Sequence, residues 1–191
     1  MSRKKLLISA IAILLLMSGN LLAQDDKYGE VDTLYAVSYP TEDGKTWAVD
    51  VSMFNDDSIM ALSVPLTFSD GKNRVVVSSW SFEGTVVQDF RVKHVRVDTS
   101  TQCVTIGLIN DVGVSVPPVP PGKGLIAKLF ITSLDNKKIK SLKVDTTTTP
   151  PSNNLQFVKP PTEGIIPAFV SILQEKPAKE KPKEEAKEKD E

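Results

Sequence analysis

Trp47-Ala48-Val49-Asp50-Val51-Ser52-Met53 alternates apolar with small or polar side chains, and the rhythm returns in Ala61-Leu62-Ser63-Val64-Pro65-Leu66-Thr67-Phe68. Successive side chains of an extended chain point to opposite faces, so an alternation of period two marks a strand with one buried face. Trp47, Val49, Val51 and Met53 then share one face, with Ala48, Asp50 and Ser52 on the other. Leu62, Val64, Leu66 and Phe68 likewise point inward, against Ala61, Ser63, Pro65 and Thr67. Pro65 has no N–H to give to a ladder and is expected at an edge or a bulge. Asn55-Asp56-Asp57-Ser58 and Ser69-Asp70-Gly71-Lys72-Asn73 carry turn chemistry.

The same reading extends outward in both directions. Further strands are expected over Val31 to Val37, Arg74 to Phe82, Phe90 to Val97, Cys103 to Ile109, Leu125 to Thr132, Ile139 to Val144, Asn154 to Val158 and Ile166 to Ile172. Between Gln24 and Leu173 there are 21 Val and 14 Thr but only 5 Ala, which favours pleated sheet over helix. No window carries a sustained 3.6-residue stripe. Nine to ten short strands punctuated by Gly, Asp, Asn and Pro describe an all-β fold, a single β-sandwich of jelly-roll type.

The flanks differ from this middle. Residues 1–23 combine basic Arg3-Lys4-Lys5, the apolar run Leu6 to Met17 and the ending Leu21-Leu22-Ala23, which together read as a signal peptide. The apolar run is shorter than the roughly 20 residues that cross a bilayer, so no membrane span is expected once the signal is cut after Ala23. Leu21 is larger than the residue favoured at the third position before the cut, which leaves retention as an N-terminal anchor as the alternative. Residues 174–191 hold six Lys, seven acids and no aromatic, the composition of a disordered Lys/Glu/Pro tail. The domain is thus expected over residues 24–173, in a secreted or periplasmic, cell-envelope setting. With 14 basic and 17 acidic residues over 24–173, it lacks the basic excess that a nucleic-acid partner would need.

The stretches Trp47 to Asp56, Ile59 to Phe68, Gln102 to Leu108, Gly122 to Phe130 and Ile165 to Val170 resemble strands of the cohesin family, and the resemblance spans Val31 to Leu173. It implies a cohesin-like sandwich related to certain carbohydrate-binding modules. It also implies a non-catalytic module that meets dockerin modules through one sheet face with scattered polar contacts. The wider superfamily includes polysaccharide binders, so the implied partner is a dockerin-like protein or a polysaccharide, in the setting of polysaccharide catabolism. No D-x-[DN]-x-[DN]-G calcium loop of the dockerin kind occurs in the chain. A structural envelope protein that self-assembles without a soluble ligand is the alternative.

Candidate sites are few. A single His and a single Cys exclude His-rich metal sites, multi-Cys zinc sites and CxxC redox centres, and no acid/base motif converges, so no enzyme activity is expected. Sugar recognition needs exposed rings on which pyranose faces stack, and Tyr28, Tyr35 and Tyr39 are the carbohydrate-binding candidates. Arg91, Lys93, His94 and Arg96 form a candidate anion patch, or the charges that protect an edge strand. Cys103 lies one residue off the Val104, Ile106, Leu108 ladder, half-buried, where it could join two molecules or pack as a small hydrophobe. Asn55-Asp56-Asp57, Asn110-Asp111 and Glu42-Asp43 could offer oxygens to Ca2+, yet without ligand spacing they read as turns, and no cofactor is expected. Pro117-Pro118-Val119-Pro120-Pro121 reads as a stiff polyproline II connector.

Overall fold

The computed structural model describes residues 29–110, 116–148 and 154–174. The expectations for the signal segment 1–23, for Tyr28 and for the tail beyond Gln174 lie outside the described residues. Among the described residues eleven strands form: β1 (Thr33–Pro40), β2 (Trp47–Asn55), β3 (Ala61–Ser69), β4 (Val75–Ser81), β5 (Val92–Asp98), β6 (Cys103–Ile109), β7 (Gly122–Ser133), β8 (Lys143–Thr146), β9 (Gln156–Lys159), β10 (Glu163–Ile165) and β11 (Ala168–Leu173). They build two sheets, the first ordered β11-β1-β2-β7-β4, the second β10-β9-β3-β6-β5 with β8 also paired to β3. Among the described residues no helix occurs.

Both opening runs behave as their periodicity dictates. Trp47, Val49, Val51 and Met53 are buried from the first sheet, and Leu62, Val64, Leu66 and Phe68 meet them from the second. Leu34, Ala36, Val104, Ile106, Leu108, Leu129 and Ile131 complete the sandwich at 0 % exposure. Each such Leu, Ile or Val contributes about 1.5–3 kcal/mol by leaving water.

Pro65 lies in a central strand rather than at the rim, and the local pairing explains how. Opposite β6, Pro65 pairs with Thr105. On its other side β3 is shared by β9, which takes Ala61 to Ser63, and β8, which takes Leu66 to Ser69. Pro65 falls in the gap between them, where its carbonyl accepts the Thr147 N–H at 3.3 Å and no ladder requires an N–H.

Three expectations are corrected. Ile139 to Val144 is not one strand: only Lys143–Thr146 pairs, while Ile139 and Leu142 are buried from a loop. β5 begins at Val92, because Phe90 turns inward with Val87 ahead of it. The Pro117 to Pro121 segment is tied down rather than a free connector, since Val119 and Ile59 exchange backbone bonds of 2.9 and 2.8 Å. The additional short strand β10 pairs with β9.

Turn carboxylates close the strand connections. Asp98 Oδ1 accepts the Ser100 N–H at 2.8 Å and the Ser100 hydroxyl at 2.6 Å, and these bonds hold its carboxyl down at about 2. Asp43 is likewise held well below the usual carboxylate range, by the Thr46 N–H first and the Thr41 hydroxyl next. A carboxyl depressed in the folded state stabilises the fold above its unfolded value of 3.8 and loses that contribution as pH falls toward about 2. The melting temperature is therefore expected to fall between pH 4 and 2, as calorimetry reads it, and Asp98→Asn to flatten part of that fall.

Candidate binding site

The outer face of the second sheet is an open platform built from alternate residues of five strands, β5, β6 and β3 with β9 and β8 sharing the far side. The ladders align Val92 (β5), Ile109 (β6), Ala61 (β3) and Val158 (β9) in one transverse row. At strand spacings of about 4.8 Å the row runs roughly 15 Å across the sheet. Val92 is 48 % and Ile109 40 % exposed. The adjacent row is His94, Gly107, Ser63 and Gln156, and the next holds Arg96, Thr105 and Pro65. The last row carries Asp98, Cys103, Thr67 and Asp145. A partly exposed apolar strip thus borders small and polar side chains, and the rows contain no Phe, Tyr or Trp. Gly107 keeps the centre low. A Cβ there would meet only His94 atoms at 3.9 and 4.0 Å, so a larger side chain fits without strain.

The four-residue basic cluster divides between places. His94 and Arg96 lie on this platform. Lys93 belongs to the alternate set with Val95 and Val97, and its ammonium donates to the Gln88 carbonyl. Arg91 precedes β5. β5 itself is the outermost strand of its sheet. Cys103 is more buried than the half-exposed thiol expected: at 6 % exposure its Sγ donates to the Thr101 carbonyl at 3.2 Å, so it lacks the accessibility that joining two molecules requires.

Tyr35 and Tyr39 share the outer face of the other sheet, with Val37 between them, each half-buried. Tyr39 donates its hydroxyl to Asp50 Oδ2 at 3.1 Å, and Lys128 Nζ lies 3.4 Å from Asp50 Oδ1. Burial, then the Asp50 carboxylate, holds the Tyr39 hydroxyl above its usual pKa. For Lys128, burial pulls downward and Asp50 more than offsets it, leaving the ammonium above its ordinary value. Phe130 also points to this outer face, where it pairs with Ala48 and Ser79.

In the Asn55–Asp57 turn, Asn55 and Asp57 are engaged internally, whereas Asp111 lies outside the described residues. Asn55 is 1 % exposed and gives its amide to the Asp57 and Pro120 carbonyls at 2.6 and 3.1 Å. Asp57 pairs with Lys159 at 2.7 Å. Among the described residues no group of three His, Cys, Asp or Glu side chains is placed to hold a metal ion. A groove of about 470 Å³ opens at one end of the sandwich, between Thr41, Lys138, Ile139, Lys140, Leu173 and Gln174. Its lining contains no carboxylate, His or Cys.

Two sheets in this strand order, with β1 and β11 parallel at the rim, make a jelly-roll β-sandwich that presents flat outer faces. More specifically, the chain has a cohesin-like fold. It is similar to the sixth cohesin of Acetivibrio cellulolyticus scaffoldin B, solved with a Cel5 dockerin mutant, at 12 % identity and a TM-score of 0.57 over 76 % of this chain and 100 % of that one. A Clostridium thermocellum OlpA cohesin, solved as a type I cohesin–dockerin complex, gives a TM-score of 0.59 at 10 % identity over 76 % and 99 %. A non-cellulosomal cohesin from Archaeoglobus fulgidus gives 0.52 at 13 % identity over 76 % and 91 %. No family model and no curated protein sequence matches the chain, and the likeness is one of fold. Among the described residues no helix is long and apolar enough to cross a membrane.

Proposed function

We propose that the chain is an exported, non-catalytic module that binds a protein partner of dockerin type on the outer face of β9-β3-β6-β5. The observation that carries this reading is the Val92, Ile109, Ala61, Val158 row, an apolar strip exposed at Val92 and Ile109 and half-buried at Ala61 and Val158, beside small polar residues. An apolar centre with a polar surround suits a protein contact. A polysaccharide reader would want rings, and this platform has none. The fold neighbours solved with dockerins support a protein partner, and the basic, apolar and small-residue succession of residues 1–23 supports export. His94 and Arg96 supply polar contacts at the platform's margin, with no acid–base role.

Calorimetric titration of the domain with type I and type II dockerin modules, with and without Ca2+, tests the reading. Binding is expected to weaken at least tenfold, about 1.4 kcal/mol or more, in Gly107→Arg and in Ile109→Lys. Thr132→Arg on the opposite sheet is expected to change it less than twofold. Binding on a glycan array that survives Gly107→Arg but is lost in Tyr35→Ala or Tyr39→Ala would transfer the site to the other sheet and reject the protein-partner reading.

A further inference from the structure

The rims of the two sheets are protected unequally. β5 carries Lys93, His94 and Arg96. β4 is interrupted by an irregularity between Val77 and Ser79. β10 has three residues, and β8 has four, with Lys143 and Asp145 among them. Charges, irregularities and brevity are the usual means by which a strand edge is kept from pairing with another chain. β11 has none of them. It is six residues long, pairs with β1 without a register shift, and lies in a stretch, Gly164 to Gln174, that contains no charged residue. Val170, Ile172 and Leu173 are 38, 40 and 53 % exposed.

The backbone direction of this edge is defined. Ala168 and Gln174 donate their N–H groups to Asp32 and Ser38, both at 2.8 Å. Because a strand alternates, the N–H and C=O groups of Phe169, Ser171 and Leu173 point away from β1, and among the described residues no other strand pairs with β11. These three residues are symmetrically placed about Ser171. Phe169-Val170-Ser171-Ile172-Leu173 therefore reads as a near-palindrome of apolar residues around a small polar centre.

The geometry points to this edge as a homotypic assembly site, in which β11 pairs antiparallel with β11 of a second copy about a two-fold axis through Ser171. Phe169 then faces Leu173 of the second copy, Val170 lies beside its Ile172, and Ser171 faces Ser171. Isologous contacts of this kind need a self-complementary surface, and an uncharged palindromic edge supplies one. The five-stranded sheet becomes continuous over both copies, with Tyr35, Val37, Val170 and Ile172 of each forming its central outer strip. A single strand pair buries less than the roughly 1,200 Å² of a standard interface, so the dissociation constant is expected on the order of 10–100 µM. The site lies on the sheet opposite the proposed partner platform and does not depend on that reading.

Sedimentation equilibrium of the exported chain, residues 24–191, from 1 to 500 µM tests this. The expected result is a weight-average mass that rises toward two copies. Ser171→Lys and Ser171→Glu, each placing two like charges face to face on the axis, are both expected to remain monomeric with unchanged melting temperatures. Their equimolar mixture is expected to restore the dimer at least as tightly as the original chain. A monomer throughout the concentration range, or a dimer that either single variant leaves intact, would overturn the inference. So would a mixture that stays monomeric.

Discussion

Trp47→Ala is expected to cost about 3–5 kcal/mol of stability, the range for truncating a large buried aromatic, and roughly 10 °C in melting temperature for a domain of this size. Trp47 is 4 % exposed, at the start of β2. Its indole N–H donates to the Ile139 carbonyl at 3.2 Å. That bond reaches across a loop that has no strand of its own and holds Ile139 over the end of the sandwich. Truncation thus opens a cavity and unties the loop together. Trp47→Phe keeps most of the volume and removes only the donor, so it should cost about 1 kcal/mol for the lost bond plus a packing increment of similar size. Calorimetry of both variants separates the two contributions. A Trp47→Phe loss as large as that of Trp47→Ala would mean that the hydrogen bond, not the packing, anchors this end. Trp80, 42 % exposed on β4, remains as a fluorescent reporter of global unfolding in either variant.

The inward faces of β2, β3 and β6 were legible because alternation is a local property, and each of these strands has one wet and one dry face. The misread segments are those where burial is reached without alternation. Ile139 and Leu142 are buried at 2 % and 1 % from a loop, a spacing that period two does not register. Val119 enters the core through a single bridge within a proline-rich segment, where composition alone suggests a connector. β10 is too short for any period, and its Ile165 pairs with Phe157 of β9. The proposed platform shows the same limit from outside. Alternation assigns Ile109 and Ala61 to outward faces, but only the ladder register places them in one row with Val92 and Val158. It also separates Lys93 from His94 and Arg96, neighbours in sequence that the pleat sends to opposite sides. Tyr35 and Tyr39 do share a face, as their spacing requires, but the Asp50 carboxylate engages the Tyr39 hydroxyl in a contact no local pattern announces.

Phe157→Ala is expected to reach a comparable cost, about 3–5 kcal/mol, with consequences for recognition as well as stability. Phe157 is fully buried and pairs across the ladder with Leu62 of β3 on one side and Ile165 of β10 on the other. It is the side chain that holds a four-residue strand on the sandwich, since its neighbours Gln156 and Val158 point outward. Without it β9 and β10 lose their hold together, and the Ala61 to Ser63 edge of β3 becomes available to other chains. Amide exchange at Met60, whose N–H donates to the Val158 carbonyl at 2.8 Å, should accelerate far more than exchange in β2. Phe157→Leu retains an apolar anchor and should lose less than half as much. Because Val158 ends the apolar row of the platform, Phe157→Ala should also weaken the proposed binding to dockerin modules several-fold at temperatures where the domain remains folded. Unchanged binding alongside faster Met60 exchange would confine the contact to β3, β6 and β5.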